Sequence, residues 1–222
     1  LHKIPDYYLM NSSAKFYDLN ALITFNFKKD HITLFGYNSY DYFDYAHQYI
    51  FNYGNTLGSV SWVHRFNENI STSFLTAYSK YAITGEDRSD SVNYYQLESQ
   101  IKYLTSKFKT TYTGFKKHKI EAGIQAIKYN IEPGTKRNTI NKNEPVMSID
   151  EENGIELAAF ISNTWEISEQ FSIQAGLRYT KYMYLGPKLI YNYEKGMPRE
   201  YNSIIDSTNY GKGKIIMSDQ GL

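Results

Sequence analysis

The sequence that decides the fold is Ile155–Tyr182, which reads IELAAFISNTWEISEQFSIQAGLRYTKY. In its second half, apolar and polar residues alternate without a break. The apolar positions are Phe171, Ile173, Ala175, Leu177 and Tyr179, and the polar ones are Ser172, Gln174, Gly176, Arg178 and Thr180. A period of two predicts a strand with one face of each kind. The first half predicts a partner strand, and Ser168-Glu169-Gln170 leaves room only for a tight turn.

The length of this hairpin indicates what surrounds it. Soluble strands usually have about five or six residues, whereas a tilted strand needs about nine to eleven to cross a bilayer. The run from Phe171 to Tyr182 meets the second requirement. Arg178 and Gln174 would be unusual in a soluble core, but such side chains are typical of a water-filled lumen. The alternative is an oversized hairpin in a soluble β-sandwich, because alternation is common to all half-buried sheets.

Composition excludes several classes of protein. The 222 residues carry 24 basic and 23 acidic side chains, a net charge of +1, so we expect no nucleic-acid partner. The chain has no cysteine, which removes disulfides, thiolate zinc sites and cysteine nucleophiles. No apolar run approaches the length of a membrane helix, but strands that alternate lipid-facing and lumen-facing residues do not produce one. The 23 tyrosines suit positions with an apolar body and a hydrated hydroxyl, such as membrane-interface girdles.

Both ends are interpreted as internal to a longer protein. The chain begins at Leu1 without a methionine or a secretory signal, and it finishes in the polar run Ser218-Asp219-Gln220-Gly221-Leu222.

The hairpin pattern occurs four times. Short polar turns alternate along the chain with longer connections, and the first long connection is the tyrosine-rich segment 44–54. Short turns at one end of the strands and long loops at the other are typical of outer-membrane barrels. The predicted fold is all-β: a segment of an antiparallel up-and-down transmembrane β-barrel with short periplasmic turns and long extracellular loops. About eight strands are expected, at 16–27, 31–43, 55–66, 70–83, 93–107, 117–131, 155–167 and 170–182, with 183–222 as a large extracellular loop.

The side-chain pattern defines the outward face less clearly in some strands. In the second strand, Ile32 and Leu34 compete with Phe35 and Tyr37 for the apolar face. In the fourth, we expect Phe74, Thr76 and Tyr78 to point outward.

The hairpin also resembles a known family. The run Glu156–Ser168, followed by Phe171–Tyr179 with its Gly176-Leu177-Arg178-Tyr179 motif, resembles the barrel of TonB-dependent outer-membrane receptors, as does Phe115–Ile124 upstream. The resemblance covers about residues 15–185. It implies location in the outer membrane of a Gram-negative cell and uptake of a scarce, bulky ligand: a ferric siderophore, haem, cobalamin, or a glycan or peptide. It also implies energy from TonB through a plug domain that is not in this chain, contact with outer-membrane lipid, and a possible surface lipoprotein partner.

The residues give no sign of catalysis or of a bound cofactor. The five histidines lack metal-ligand spacing, and Asp150-Glu151-Glu152 lacks the alternation of a calcium loop. No phosphate loop, nucleophile elbow or zinc helix signature occurs, so we expect neither an enzyme nor a metal site.

Candidate binding residues are therefore aromatic or lumenal. We expect Arg178 and Gln174 to face the lumen, with Arg178 either paired with a carboxylate of a neighbouring strand or plug, or solvated alone. The candidate ligand-contacting loop residues are Tyr40, Tyr42, Tyr45, Tyr49, Tyr184, Tyr191 and Tyr193, although most of them fit the outer girdle better.

Two other functions remain open at this point. Eight strands suffice to close a small barrel, which would make the chain a complete adhesin or membrane anchor whose first strand pairs with its eighth. A soluble carbohydrate-binding β-sandwich is the third possibility, and it requires a second sheet packed on the apolar face of the hairpin.

Overall fold

The structure is a computed structural model that describes residues 10–90 and 93–222. Most of this part of the chain is strand, and Tyr201–Ser203 forms a short 3-10 helix. The strands are β1 Ser13–Asn26, β2 Asp30–Tyr45, β3 Tyr49–Arg65, β4 Ile70–Asp87, β5 Tyr95–Tyr112, β6 His118–Asn138, β7 Met147–Ser148, β8 Glu152–Ser168, β9 Phe171–Leu185, β10 Lys188–Tyr193, β11 Ile204–Tyr210 and β12 Ile215–Gly221.

The main sheet is an antiparallel meander. Its strand order is β1-β2-β3-β4-β5-β6-β8-β9-β12, with the short β7 pairing with β6, while β10 and β11 form a separate hairpin. The sheet is open, because β1 pairs only with β2 and β12 pairs only with β9 in the part of the chain that the structure describes. The predicted antiparallel up-and-down arrangement is confirmed, but the count of eight strands is not, since nine follow one another across this sheet.

The extra strand lies in 183–222, which the sequence predicts as one large loop. β12 pairs with the free edge of β9 from Gly221↔Thr180 to Ile215↔Leu185, with a register shift near Met217. Its Ser218, Asp219 and Gln220 interrupt any alternation, so backbone hydrogen bonding defines this strand and the side chains do not. The β10–β11 hairpin occupies much of the remaining segment.

The first predicted long connection, 44–54, is also different in the structure. β2 and β3 run on to Tyr45 and Tyr49, so that only residues 46–48 join them. Ala46 and His47 adopt positive φ angles of 52° and 59°, as a tight hairpin turn requires. The Asp44 carboxylate accepts hydrogen bonds from the His47 backbone N–H (2.8 Å) and Nδ1 (2.8 Å), which holds the turn without glycine.

The four short turns lie where the sequence places them. β1–β2, β3–β4, β5–β6 and β8–β9 are joined at residues 27–29, 66–69, 113–117 and 169–170. At the second of these, Asn67 Oδ1 accepts hydrogen bonds from the backbone N–H groups of Asn69 and Ile70, both at 2.9 Å. An Asn side chain that satisfies the following N–H groups is a common way to close such a turn.

Strand register resolves the two faces of the sheet. Ile32 lies opposite Trp62, Trp62 opposite Phe74, and Phe74 opposite Phe108, so all four share one face. We call this the apolar face; it carries Leu34, Thr76 and Tyr78 as well. The opposite face, which we call the polar face, carries Arg178 and the other even-numbered residues of β9, and it carries Phe35 and Tyr37 of β2.

Within residues 10–90 and 93–222, no protein layer covers either face of the sheet. On the apolar face, Leu177 is 68% exposed and Ile124 is 61% exposed, and the described residues include no large, fully buried side chain. A β-sandwich would cover this face with a second sheet.

The closed small barrel would pair β1 with a late strand, which is not observed among the described residues. In the described residues, no helix has the length and apolar character needed to cross a membrane.

Gly123 provides a test of this register. A Cβ atom on Gly123 would lie 2.4 Å from the Phe108 carbonyl oxygen and 2.7 Å from the Phe160 ring. Gly123→Val should therefore lower the free energy of unfolding by about 1–3 kcal/mol, as overpacking does, in guanidinium titrations of the native full-length protein in lipid vesicles. Gly58→Val is the matched control, because nothing lies within 4 Å of a Cβ there. Equal losses for the two variants would contradict the register.

Candidate functional site

The polar face carries a network of hydrogen bonds centred on Arg178. Its Nη2 donates to Glu156 Oε1 of β8 at 3.2 Å and to Gln125 Oε1 of β6 at 3.1 Å. The Tyr129 hydroxyl donates to the other oxygen of Glu156 at 3.2 Å. Alternation places these side chains on one face, and the pairing of β6, β8 and β9 brings them within reach of each other. The network therefore joins three strands through one guanidinium and one carboxylate.

A second charged group lies nearer the short turns, around Glu121. Lys109 Nζ donates to Glu121 Oε1 at 2.7 Å, Lys119 Nζ lies 3.3 Å from the same oxygen, and the Thr111 hydroxyl donates at 3.3 Å. The Glu121 side chain is only 16% exposed, so a single carboxylate is held between two ammonium groups. Such a pair of cations around one anion leaves a net positive charge on this part of the face.

Phe160 and Lys107 lie between the two groups. Phe160 is directly opposite both Gly123 and Arg178 in the sheet, and its ring covers the surface that the glycine leaves bare. Lys107 Nζ lies 5.0 Å from the centroid of that ring, within the range of a cation–π interaction. Including Lys107, the network contains four cationic side chains and two carboxylates.

A tyrosine cluster adjoins the Arg178 group on the side away from the short turns. The rings of Tyr103 and Tyr129 meet edge to face with centroids 5.4 Å apart, and Tyr129 and Tyr182 lie 6.4 Å apart. Tyr182 is directly opposite Glu156, which joins the cluster to the charged network. Together the polar face offers positive charge beside aromatic rings, a combination that suits anionic or aromatic ligands.

Arg178 and Gln174 both lie on the polar face of β9, although only Arg178 belongs to the network described above. Of the predicted tyrosines, Tyr40 and Tyr42 lie on the apolar face of β2, where Tyr40 donates to Asn52 Oδ1 at 2.7 Å. That position fits a girdle better than a ligand site. Tyr45 and Tyr49 lie opposite each other beside the tight turn.

The remaining predicted tyrosines lie elsewhere. Tyr184 is near the end of β9, with Lys188 Nζ 5.4 Å from its ring centroid. Tyr191 and Tyr193 are in β10 of the separate hairpin. The seven predicted residues therefore do not gather into one cluster. The cluster of Tyr103, Tyr129 and Tyr182 was missed, because only the register between β5, β6, β8 and β9 shows that they meet.

Histidines and carboxylates pair locally in the structure. Asp30 accepts hydrogen bonds from Trp62 Nε1 at 2.8 Å and lies 2.7 Å from His64 Nδ1, and the His118 ring stacks on Trp165 at 5.7 Å. Within residues 10–90 and 93–222, no group of three or more His, Cys, Asp and Glu side chains has the arrangement of a metal site.

Comparison with known proteins gives a consistent result. The family model described as "TonB dependent receptor-like, beta-barrel" matches residues 3–211. A search of curated protein sequences gives no match. Among solved structures, the copper transporter OprC superposes with a TM-score of 0.64 at 12% identity, covering 79% of this chain and 30% of that one.

Two receptors with ferric ligands superpose similarly. BauA, the ferric preacinetobactin receptor from Acinetobacter baumannii, has a TM-score of 0.59 at 8% identity, covering 78% of this chain and 34% of that one. The ferric-catecholate import receptor Fiu from E. coli K12, in its open form, has a TM-score of 0.60 at 14% identity. The superposition covers 94% of this chain and 43% of that one. At these identities the likeness concerns the fold, and the chain spans well under half the length of each structure.

The two carboxylates of the network should differ in their contribution to stability. Glu121→Gln leaves Lys109 and Lys119 without their shared anion, whereas after Glu156→Gln the Arg178 guanidinium still has Gln125 and Thr180 as acceptors. We expect Glu121→Gln to lower the free energy of unfolding by about 1–2 kcal/mol and Glu156→Gln by about 0.5–1 kcal/mol.

Guanidinium titrations of the native full-length protein in vesicles would measure both values. The difference should shrink in high salt, because screening weakens both charged groups. A larger loss for Glu156→Gln would contradict this assignment of the network.

Proposed function

The chain belongs to the TonB-dependent receptor β-barrel family, and from this we propose that it forms part of the wall of an outer-membrane importer. The observation that carries the proposal is the family match over residues 3–211, supported by the open antiparallel meander and its uncovered apolar face. In this proposal the apolar face contacts lipid and the polar face lines the lumen. A plug domain outside this chain would transmit energy from TonB.

We propose a metal chelate as the transported ligand. Of the similar structures, one is named as a ferric preacinetobactin receptor, one as a ferric-catecholate import receptor and one as a copper transporter. The polar face supports the same class, since it presents Lys107, Lys109, Lys119 and Arg178 against the carboxylates of Glu121 and Glu156. Ferric catecholates are anionic and aromatic, and both properties are matched by a cationic surface next to tyrosine rings.

The work of such a wall is binding and passage without a covalent step. Arg178 is oriented by Gln125 and Glu156, so its remaining N–H groups are positioned for a passing anion at no further ordering cost. Lys107 rests on Phe160 with no carboxylate within salt-bridge distance among the described residues, which leaves its charge available. We infer that Arg178 and Lys107 are the first side chains of this segment to contact ligand.

Uptake assays test the proposal. Deleting the gene from the source organism should abolish import of labelled ferric catecholate, and the full-length protein should restore it only while TonB is present. Lys107→Gln with Arg178→Gln should raise the half-saturating ligand concentration by at least about fivefold, since each removes a charge-assisted contact. Lys28→Gln with Lys116→Gln, at the short turns, is the matched control. Import unaffected by gene deletion, for ferric and copper compounds alike, would overturn the proposal.

A further inference from the structure

Four lysines on the apolar face lie at the same distance from the short turns. Lys80 is ten positions after Ile70, where β4 begins, and Lys102 is ten positions before Tyr112, where β5 ends. Lys128 is ten positions after the start of β6, and Lys181 is ten positions after the start of β9. All four belong to the parity of Phe74, Phe108, Ile124 and Tyr179. We call these four residues the lysine belt.

Ten residues bring the lysine belt to the edge of the apolar surface. A strand rises about 3.3 Å per residue, so each lysine lies about 33 Å along its strand. If the strand is tilted by about 40° from the barrel axis, this length spans about 25 Å along the axis. That distance equals the height of the apolar band on an outer-membrane barrel. Tyr78 and Tyr179 lie two positions nearer the turns on the same face, as interfacial tyrosines do. The ammonium groups are therefore level with lipid head groups on the side of the longer loops.

Three members of the lysine belt lie on adjacent strands, and the fourth, Lys181, lies two strands beyond Lys128. Lys80 is directly opposite Lys102, and Lys102 is opposite Asn130, two positions beyond Lys128. Like charges placed opposite each other in a sheet destabilise it unless an anion lies between them. Glu132 accepts a hydrogen bond from Lys102 at 2.8 Å, and the nearby Glu151 lies 3.2 Å from Asn130 Nδ2.

The carboxylates near the belt do not neutralise it. Among the described residues, Lys80, Lys128 and Lys181 have no carboxylate within the 4.0 Å of a salt bridge, although the charge of Lys80 also acts on Glu132, the partner of Lys102. The belt therefore keeps a net positive charge that calls for an anion from outside the protein.

An apolar groove lies beside the lysine belt on the same face, and Lys181 is the belt residue that lines it. It has a volume of about 480 Å³, and Lys181 is at its rim. The groove exists because the side chains along its floor are small, namely Ser106, Ala126 and Ala159. The larger side chains of Phe108 and Ile124 flank it. The groove is almost wholly apolar, so it suits a hydrocarbon chain, and the charge at its rim suits an anionic head group.

We propose that this surface binds an anionic membrane lipid, one whose head group carries phosphate and no cationic group, with the phosphate on the lysine belt and one acyl chain in the groove. The proposal rests on the proposed function to the extent that the apolar face must meet lipid. It adds a specific lipid site, which transport of a ligand does not require. Both the charge and the shape of the surface favour this ligand. A zwitterionic lipid would leave the positive charge of the lysine belt unbalanced, and a soluble phosphate would leave the groove empty.

The test uses the full-length native protein in detergent, with binding measured by native mass spectrometry. The probes are a diacyl phosphate lipid, a phosphocholine lipid with the same acyl chains, and soluble glycerol phosphate. Replacing all four belt lysines with glutamine should weaken binding of the phosphate lipid by at least about tenfold. The control variant replaces Lys28, Lys116, Lys142 and Lys195 with glutamine, which removes the same charge from turns and loops. It should bind as the native protein does.

A second variant tests the groove without changing the charge. Ala126→Phe fills the space beneath Lys181 and should reduce binding of the diacyl phosphate lipid by about fivefold or more. The proposal is overturned if the belt variant binds the phosphate lipid like the native protein, if the phosphocholine lipid binds equally well, or if glycerol phosphate competes at equal concentration.

Uptake of ferric catecholate by the same variants separates this proposal from the proposed function. Loss of lipid binding with normal uptake supports the lipid site and leaves the transport proposal intact. Normal lipid binding by the belt variant rejects the site, whatever the uptake shows.

Discussion

The structure depends on one continuous ladder of antiparallel backbone hydrogen bonds, from β1 through β9 to β12. In the part of the chain that the structure describes, no second layer covers either face of this sheet, so side-chain burial between layers does not hold it together, as it does in a soluble domain. The ladder gives hydrogen-bond partners to the backbone N–H and C=O groups along strands of up to 21 residues. That is the requirement that a hydrocarbon environment imposes, because nothing else there can accept or donate a hydrogen bond.

Once the ladder is fixed, alternation determines what each face can do. Polar residues of β5, β6, β8 and β9 converge into the Arg178 and Glu121 groups, because residues opposite each other in a ladder must share a face. The same rule places Ile32, Trp62, Phe74 and Phe108 in one apolar row. A shift of one residue in any strand would exchange the faces of that strand. The packing of Phe160 against Gly123, where no Cβ fits, opposes such a shift between β6 and β8.

The sequence predicts those parts of the fold that local chemistry determines. The four short turns and the β8–β9 hairpin follow from turn residues and from unbroken alternation, and both are visible within single segments. The tight turn at Ala46 and His47 could not be predicted, since it lacks glycine and depends on the Asp44 carboxylate. β12 could not be predicted either, because it is defined by the free edge of β9. Likewise, Arg178 could be placed on a polar face from parity alone, whereas Tyr103, Tyr129 and Tyr182 meet only through a register that spans four strands.

The electrostatics of the two faces point to two different environments. On the polar face Lys109, Lys119 and Arg178 each lie within 3.3 Å of a carboxylate, while Lys107 lies against the Phe160 ring. On the apolar face only Lys102 of the lysine belt has such a partner among the described residues. Lysines that outnumber the nearby carboxylates at one level, above a band of exposed apolar side chains, are costly unless the surroundings supply anions at that level. A lipid surface with phosphate head groups does so. The proposed orientation, with the apolar face toward lipid, therefore accounts for this distribution of charge.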